Sequence, residues 1–195
     1  MSLKIGVLAL QGNFAKHIEV LNSLGVEAQA VRRAEDLENC DGLILPGGES
    51  TVMQRQLDFI GLRQPLIDFA DKHPLFGTCA GLILMAKQVQ NSPIHSLNLI
   101  DVTVERNAFG RQADSFQADV HLYLNHPNHE RLFPAFFIRA PRIHVNSPLV
   151  KVLGTFQGEA VLVQQGHFLA ASFHPELTPY LTIHQYFIQM IKNLD

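Results

Sequence analysis

Two spacings of apolar residues alternate along the first half of the chain. The segment Leu3–Leu10 is apolar at nearly every position, which is typical of a strand buried on both faces of a parallel sheet. From Phe14 to Leu24 the apolar residues instead recur every three or four positions, which predicts a helix with one buried face. Gly25 is the expected end of that helix, because glycine readily adopts the left-handed conformation that closes helices.

The alternation of strand and helix signals continues to about Val89. Short apolar runs predict further strands, and apolar residues at helical spacing predict the helices between them. The predicted elements are a strand Glu27–Val31, a strand Gly42–Leu45, a helix that Ser50 caps and that runs through Leu57, a helix around Leu62–Lys72, and a strand after Pro74. Such alternation favours a parallel sheet covered by helices.

In the second half, strand follows strand. The predicted strands are Asp101–Glu105, Phe116–Leu122, Phe136–Ile138, Lys151–Phe156, Ala160–Gln165 and Phe168–Phe173, and Pro179–Leu194 has the spacing of a closing helix. Because no repeat, linker or low-complexity tract interrupts the chain, residues 1–195 are expected to form a single domain. The predicted fold is α/β: a flavodoxin-like, open, mostly parallel sheet with helices on both faces and an antiparallel addition in the second half.

Charge and cysteine content narrow the classes of function. The 195 residues carry a formal net charge of -3, which gives no electrostatic reason to expect nucleic acid or an anionic membrane as a partner. The chain starts with an apolar strand instead of a secretion signal, and no apolar run is long enough to span a bilayer. Cys40 and Cys79 are the two cysteines, and their spacing matches neither a zinc site nor a disulfide framework. A reducing cytoplasm is therefore the expected location.

Cys79 lies in a Gly-x-Cys-x-Gly sequence between Gly77 and Gly81. This is the thiol counterpart of the Gly-x-Ser-x-Gly turn, which raises a nucleophile above a parallel sheet at a tight strand-to-helix turn. The small neighbours allow the strained turn and the close approach of a substrate. The following helix points its partly positive N-terminus at the sulfur and so favours the thiolate. Cys40 has no such setting and is predicted to be a small buried apolar residue.

A second segment supplies the groups that a cysteine nucleophile needs. His174 can transfer the proton, and Glu176 can orient and stabilise the imidazolium. If the chain is extended here, residues two apart face the same way, so the two side chains are expected to project together. Pro175 between them restricts the backbone. The sequence thus predicts a Cys-His-Glu triad.

These motifs make the chain similar to the class I, triad-type glutamine amidotransferases. Within them it resembles the glutaminase subunits of the ribose 5-phosphate-dependent pyridoxal 5'-phosphate synthases, over essentially the whole length. The resemblance rests on residues 5–12, 45–51, 76–81, 104–107, 109–112, 137–141 and 172–178. The elbow and the His-Pro-Glu sequence occur in all triad glutaminases. The Gln-Gly pair at residues 11–12, the Pro-Gly-Gly-Glu-Ser loop at 46–50 and the Glu-Arg-Asn sequence at 105–107 point to the subfamily.

The resemblance implies a role for each matching residue. The thiolate of Cys79 attacks the carboxamide of L-glutamine, and the backbone N–H groups of the oxyanion hole hold the charge that develops. The oxyanion-hole residues are Gly48 and Ala80; the residues that bind the amino and carboxylate groups of glutamine are Gly47, Gly48, Glu49, Arg106, Ile138 and Arg139. The resemblance implies no metal and no cofactor for this subunit. Gln11 lies in a region that meets the synthase in relatives and is expected to couple docking to the oxyanion loop.

The implied partner is a synthase subunit in a large hetero-oligomer, to which the ammonia passes. That synthase builds pyridoxal 5'-phosphate from ribose 5-phosphate and glyceraldehyde 3-phosphate. Two alternatives remain at this point: the glutaminase of another synthase, such as imidazole glycerol phosphate synthase, and a non-catalytic relative that uses the cysteine as a redox sensor. Intact His174 and Glu176 disfavour the sensor, which needs no proton relay. Residues 125–130 include His126 and His129, whose spacing could suit a metal ion, but a surface loop is expected there instead.

Overall fold

A computed structural model describes residues 3–106, 108, 115–124 and 131–194. The strands in these residues are β1 (Lys4–Leu8), β2 (Glu27–Val31), β3 (Gly42–Leu45), β4 (Leu75–Thr78), β5 (Ala86–Val89), β6 (Ile100–Glu105), β7 (Ser115–Leu122), β8 (Arg131–Ile138), β9 (Arg142–Val145), β10 (Lys151–Phe156), β11 (Glu159–Gln165) and β12 (Phe168–Ala171). The α-helices are α1 (Phe14–Ser23), α2 (Ser50–Phe59), α3 (Arg63–Ala70), α4 (Ala80–Met85) and α5 (Thr182–Lys192). No helix in the described ranges is long and apolar enough to cross a membrane.

The central sheet has nine strands in the order β2-β1-β3-β4-β12-β11-β10-β7-β8. The pairs from β2 to β12 are parallel, and those from β12 to β8 are antiparallel. β3 and β4 are buried at every position, because helices cover both faces of the parallel part. The predicted fold class, with its late antiparallel addition, is confirmed.

A second, smaller sheet was not predicted. It contains three strands in the order β5-β6-β9. β5 and β9 have only four residues each, and half of each strand is exposed, so neither produces a clear apolar alternation. This sheet continues directly from α4 and lies next to the segment that carries Arg106.

The helices pack in two separate apolar clusters, as expected for helices on both faces of a sheet. One cluster contains buried residues of α2, α3 and α4, such as Met53 and Leu66. The other contains buried residues of α1 and α5, such as Leu21 and Phe187. Burial of these apolar stripes supplies most of the free energy that holds the helices on the sheet. The parallel strands therefore present their carboxyl ends at one edge, between two rigid helical layers.

Most predicted boundaries differ from the observed ones by few residues. The predicted ranges of β2, β3 and β10 match, and Gly25 follows α1 with a φ of +72°. The predicted cap of α2 was wrong by one residue: the helix already begins at Ser50, and Glu49 is the extended N-cap residue, with a φ of -98°. The loop predicted at residues 125–130 and the motif at 109–112 lie outside the described residues.

Candidate active site

Cys79 sits at a strained turn between β4 and α4. Its φ is +48° and its ψ is -101°, a conformation that L-residues rarely adopt. The flanking glycines are sterically required. A methyl group at Gly77 would overlap Met85 and the backbone of Gly81, and one at Gly81 would overlap the carbonyl of Leu45. The Gly-x-Cys-x-Gly sequence therefore forms a nucleophile elbow at the carboxyl edge of the parallel strands.

Neighbouring strands fix the position of the cysteine. The backbone N–H of Cys79 donates to the carbonyl of Ala171 at 2.8 Å. Its thiol lies 3.7 Å from the carbonyl of Ile138, at the end of β8. The side chain is largely covered, with 7% of the residue exposed, and it faces a pocket instead of open solvent. The backbone N–H of Ala80 belongs to the first turn of α4, where N–H groups have no partner within the helix.

His174 and Glu176 meet directly, although not in the predicted way. Pro175–Leu177 is a short 3₁₀ turn, so the expectation of an extended chain was wrong. Pro175 fits the first position of a helical turn because it has no N–H to satisfy. Nδ1 of His174 nevertheless lies 2.7 Å from Oε1 of Glu176. The backbone N–H of His174 also donates to the carbonyl of Phe136 at 2.8 Å, which ties the histidine to β8.

The three side chains form an electrostatically coupled, buried set. Burial lowers the pKa of His174, but its hydrogen bonds with Cys79 and Glu176 outweigh this effect and raise the pKa to about 10. Burial raises the pKa of Glu176, but the neighbouring histidines outweigh it and hold the pKa at about 2. Glu176 is therefore a carboxylate at neutral pH and His174 an imidazolium beside the sulfur. This arrangement places a positively charged ring beside the sulfur of Cys79.

The loops that follow β1 and β3 form the wall of the pocket opposite Cys79. The carbonyl of Gly47 accepts a hydrogen bond from the N–H of Asn13 at 3.1 Å. A methyl group at Gly47 would overlap the ring of His174, and one at Gly48 would overlap the amide of Gln11. Only glycine therefore allows the two loops and the histidine to pack this closely.

Gln11 and Arg106 both bind residues of this glycine loop. The Gln11 amide donates to the carbonyl of Glu49 at 3.1 Å. The guanidinium of Arg106 lies 3.4 Å from the carboxylate of Glu49 and 3.4 Å from the hydroxyl of Ser92. Gln11 thus supports the loop from behind, whereas Arg106 reaches it across the pocket.

A pocket of about 180 Å³ joins these groups. Its lining comprises Gly12, Asn13, Gly47, Gly48, Glu49, Ser50, Cys79, Ile83, Arg106, Ile138, Arg139 and His174. The structure thus brings the predicted residues together around one pocket, with Glu176 behind the histidine, Ala80 after the nucleophile and Gln11 behind the glycine loop. Gly12, Asn13, Ser50 and Ile83 were not predicted to line the site; the carboxyl ends of β1 and β3 could have indicated the first three, because ligands of parallel sheets bind there.

A larger cavity of about 740 Å³ shares no residue with this pocket. It lies beside α5 and is lined by Leu124, Arg131, Gln164, Gly166, His167, Thr182, Gln185, Tyr186, Gln189, Met190, Asn193 and Leu194. This lining contains no cysteine and no paired acid and base. The chemistry therefore belongs to the smaller pocket. Within the described ranges, no cluster of three or more histidine, cysteine, aspartate or glutamate side chains could hold a metal ion.

Two buried histidines behind the triad were also missed. Nε2 of His17 lies 3.5 Å from Oε2 of Glu176, and Nδ1 of His17 lies 2.9 Å from Nε2 of His184. Both rings are fully buried. His17 lies on the apolar stripe of α1 together with Leu21. This position on the stripe was the only indication in the sequence that His17 would be buried. A histidine on such a stripe does not by itself indicate a partner.

The cysteine at the strained turn, the histidine and the glutamate lie together at the edge of a parallel sheet, in the arrangement expected for the triad-type amidotransferases that the sequence resembles. Residues 7–193 match the model of the SNO glutamine amidotransferase family. The chain belongs to this family. It is 48% identical over 192 residues to the pyridoxal 5'-phosphate synthase subunit PdxT of Oenococcus oeni, covering 98% of each chain. It is 50% identical to PdxT of Shouchella clausii, covering 97% of this chain and 95% of the relative.

Solved structures show the same fold. One described as a glutamine amidotransferase superposes with a TM-score of 0.89 at 41% identity, covering 96% of this chain and 98% of the other. A glutamine amidotransferase from Thermotoga maritima superposes with a TM-score of 0.64 at 13% identity, covering 99% of this chain and 84% of the other. At that identity the second likeness supports the fold alone.

Proposed function

We propose that this chain is the glutaminase subunit of a pyridoxal 5'-phosphate synthase. It hydrolyses L-glutamine to L-glutamate and ammonia, and it passes the ammonia to a synthase subunit. The observation that carries the proposal is the buried set of Cys79, His174 and Glu176 beside a pocket with an arginine at its rim. The relatives named PdxT supply the particular synthase. A nucleophilic thiol works only while reduced, so the proposal includes a reducing compartment such as the cytoplasm.

The first half of the reaction forms a thioester. The thiolate of Cys79 adds to the carboxamide carbon of glutamine, and the carbonyl oxygen becomes an oxyanion. The imidazolium of His174 then donates its proton to the amide nitrogen, the C–N bond breaks, and ammonia leaves. Glu176 keeps the imidazole oriented and balances its charge throughout. The products of this half are ammonia and a γ-glutamyl thioester on Cys79.

The second half releases glutamate. Neutral His174 takes a proton from a water molecule, and the resulting hydroxide attacks the thioester carbon. The C–S bond breaks, glutamate leaves, and the thiolate–imidazolium pair forms again. In both halves the backbone N–H groups of Gly48 and Ala80 are assigned to the oxyanion.

The pocket fits the charged groups of a free amino acid. Arg106 and Glu49 form an ion pair at the rim, and both side chains are partly exposed. We assign the α-carboxylate of glutamine to Arg106 and its α-amino group to Glu49, because each charge then meets its opposite. Gly47, Ile138 and Arg139 line the same pocket, and we assign them to substrate binding as well.

The synthase partner is assigned from the relatives, with Gln11 as the coupling residue. Gln11 holds the carbonyl of Glu49 and packs against Gly48. A protein that docks over residue 11 therefore acts on the loop that carries the oxyanion donor. Docking is expected to raise the glutaminase rate of the free chain, and the assembly is expected to be a large hetero-oligomer.

The proposal is tested by mixing the chain with its cognate synthase, glutamine, ribose 5-phosphate and glyceraldehyde 3-phosphate. Pyridoxal 5'-phosphate is followed by its absorbance, and ammonia by a coupled assay. Cys79→Ala is expected to abolish ammonia release while the complex still forms. Cys40→Ala is the matched control, because Cys40 is buried away from the pocket, and it should retain activity.

Two outcomes would reject this assignment. Undiminished ammonia release by Cys79→Ala would exclude Cys79 as the nucleophile. Glutamine hydrolysis without pyridoxal 5'-phosphate, but with ammonia used by another synthase, would favour a glutaminase of a different pathway.

A further inference from the structure

The catalytic glutamate is the midpoint of a longer buried row of polar side chains. Oε1 of Glu176 binds Nδ1 of His174 at 2.7 Å, and Oε2 faces Nε2 of His17 at 3.5 Å. His17 in turn contacts His184 on α5, with 2.9 Å between the two ring nitrogens. Among the described residues, Oε2 of Glu176 and Nδ1 of His184 are buried side-chain atoms without a hydrogen-bond partner. A buried carboxylate oxygen needs a donor, and His17 is placed to supply it.

The tautomers of the two rings follow from their neighbours. Burial lowers the pKa of His17 and lowers that of His184 to about 3, so both rings are neutral and each carries one N–H. If His184 donates from Nε2 to Nδ1 of His17, then Nε2 of His17 carries a proton and can donate to Glu176. The bare Nδ1 of His184 is then an unpaired acceptor.

The opposite arrangement is unfavourable at both ends. If His17 donated from Nδ1 to His184, its Nε2 lone pair could accept from the Thr78 hydroxyl at 3.3 Å, but Oε2 of Glu176 would be left buried without a donor. His184 would then carry its proton on Nδ1, where a buried N–H has no acceptor. Both costs disfavour this second arrangement. The first arrangement, with Nε2 protonated on both rings, is therefore the one that the hydrogen bonds of the row favour.

We propose that His17 is a positioning residue of the glutaminase site: its Nε2–H donates to the second oxygen of Glu176, and His184 fixes the tautomer that allows this. This inference rests on the proposed function, because its consequence is expressed in glutamine hydrolysis. With Oε2 held by His17, Oε1 stays directed at Nδ1 of His174. The imidazole then keeps its other nitrogen for Cys79 and the substrate.

The surroundings of the row keep water out and add few charges. Phe76 on β4 packs edge-on against the rings of His17 and His184, with centroid separations of 6.4 and 5.9 Å. The hydroxyl of Thr78 lies 3.3 Å from Nε2 of His17, and the amide of Asn13 donates to Oε1 of Glu176 at 3.4 Å. The titratable groups that face His17 are Glu176 and His174 on one side and His184 on the other. A neutral donor at His17 therefore stabilises the carboxylate without adding a second cation to the site.

The tautomers are measured first, on the free wild-type chain. A ¹⁵N-edited NMR spectrum of the histidine side chains at pH 7 should show Nε2 of His17 and of His184 protonated and both Nδ1 atoms bare. Protonated Nδ1 and bare Nε2 on His17 would overturn the proposal without any variant. This readout does not depend on glutamine turnover, so it separates failure of this inference from failure of the proposed function.

Two substitutions of His17 then separate a positioning role from a structural one. His17→Leu removes the donor, and His17→Gln retains an N–H near the position of Nε2. In the complex with the synthase, H17L is expected to lower kcat about 10- to 100-fold, as for a lost hydrogen bond to a charged group, with KM nearly unchanged. H17Q should recover most of that loss.

The pH dependence supplies the decisive comparison. Without the donor the carboxylate of Glu176 takes up a proton more readily, so the acidic limb of kcat/KM in H17L should move to higher pH by about one unit or more. The ¹³C shift of the Glu176 carboxyl carbon, titrated in the free chain, should move in the same direction. Equal midpoints for wild type, H17L and H17Q would show that His17 only fills the core, and that result would overturn the proposal.

Discussion

Gly47 lies so close to the ring of His174 that a methyl group on its Cα would overlap the imidazole. The absent side chain thus allows the ring of His174 to lie against the loop that carries Gly47. The carbonyl of Gly47 also accepts a hydrogen bond from the N–H of Asn13. Gly47 therefore contacts both the loop after β1 and the ring of His174. Gly47 does not have a positive φ, so its backbone conformation does not require glycine. The close approach of the His174 ring does.

Gly47→Ala is therefore expected to displace His174 from Cys79. Since a displacement of about 1 Å in a reacting group can cost about 100-fold in rate, kcat for glutamine hydrolysis should fall by about that factor. The chain should remain folded, because the ring lies at the pocket and can shift into it. Steady-state kinetics with the synthase present, together with circular dichroism, checks both expectations.

Gly158→Ala is the control for the general cost of replacing a glycine. Gly158 has a φ of +79° in the turn between β10 and β11, and a Cβ there meets no atom within 4 Å. We expect a loss of about 1 kcal/mol in the free energy of unfolding, because alanine is strained in the left-handed region, and an unchanged kcat. If the two variants had equal kcat values, the contact of Gly47 with His174 would have no catalytic consequence.

A second prediction concerns the ion pair between Arg106 and Glu49. If Arg106 receives the α-carboxylate of glutamine, Arg106→Gln should raise KM by about 10- to 100-fold, because a charged hydrogen bond contributes roughly 1.5–3 kcal/mol. kcat should change less, since the α-carboxylate is remote from the bond that breaks. Initial rates over a range of glutamine concentrations separate the two constants.

Arg63→Gln provides a matched control. Arg63 pairs with Asp58 at 2.5 Å, and the two side chains are exposed to nearly the same degree as Arg106 and Glu49. Arg63 does not line the pocket, so its loss should leave KM unchanged. Similar KM increases in both variants would mean that Arg106 acts through general electrostatics and not as a binding group.

The parallel half of the fold was predictable because its strands are buried runs separated by amphipathic helices. β3, Gly42–Leu45, is a run of four buried residues and matches its predicted range. β9, Arg142–Val145, was missed because its register comes from pairing with β6, which local spacing does not reveal. Non-local pairing of this kind depends on tertiary contacts more than on the pattern of one segment.

The candidate site likewise contains features that a local sequence pattern predicts and features that depend on contacts between distant segments. The elbow around Cys79 has a local sequence signature, because the strained turn demands glycines at fixed offsets. The contact between His17 and His184 joins positions 167 residues apart, and each histidine alone is an ordinary member of a buried helix face. The turn at Pro175–Leu177 also escaped prediction, since proline is compatible with both an extended segment and the first turn of a helix.

The two cysteines should differ strongly in reactivity. Cys40 is buried, and burial raises the pKa of its thiol to about 11, so it is protonated at neutral pH. Cys79 lines the pocket beside His174, in the positively charged setting that is typical of reactive cysteines. Iodoacetamide at pH 7 should therefore label Cys79 at least about 100-fold faster than Cys40. Peptide mass spectrometry over time measures both rates, and equal labelling would contradict the thiolate–imidazolium pair.

Stability should depend on pH through the ion pair of His174 and Glu176. The folded-state pKa of Glu176, about 2, lies below its ordinary value of 4.5, so its contribution is present above pH 4.5 and is lost as the pH falls towards 2. The folded-state pKa of His174, about 10, lies above its ordinary value of 6.5, so its contribution is present below pH 6.5 and is lost as the pH rises towards 10.

The pair should therefore stabilise the fold most between pH 4.5 and 6.5, and Glu176→Gln isolates its effect. At pH 5.5 the wild type should exceed Glu176→Gln by about 3 kcal/mol in the free energy of unfolding, since each pKa unit corresponds to about 1.4 kcal/mol. Urea unfolding of both chains at intervals from about pH 3 to pH 10 measures this difference. It should shrink at both ends of the range, because the unfolded chain gains a proton on Glu176 below pH 4.5 and loses one from His174 above pH 6.5, whereas the folded chain keeps the charged pair until nearer pH 2 and pH 10. A difference that stayed constant with pH would mean that Glu176 stabilises the fold through packing and neutral hydrogen bonds and not through its charge.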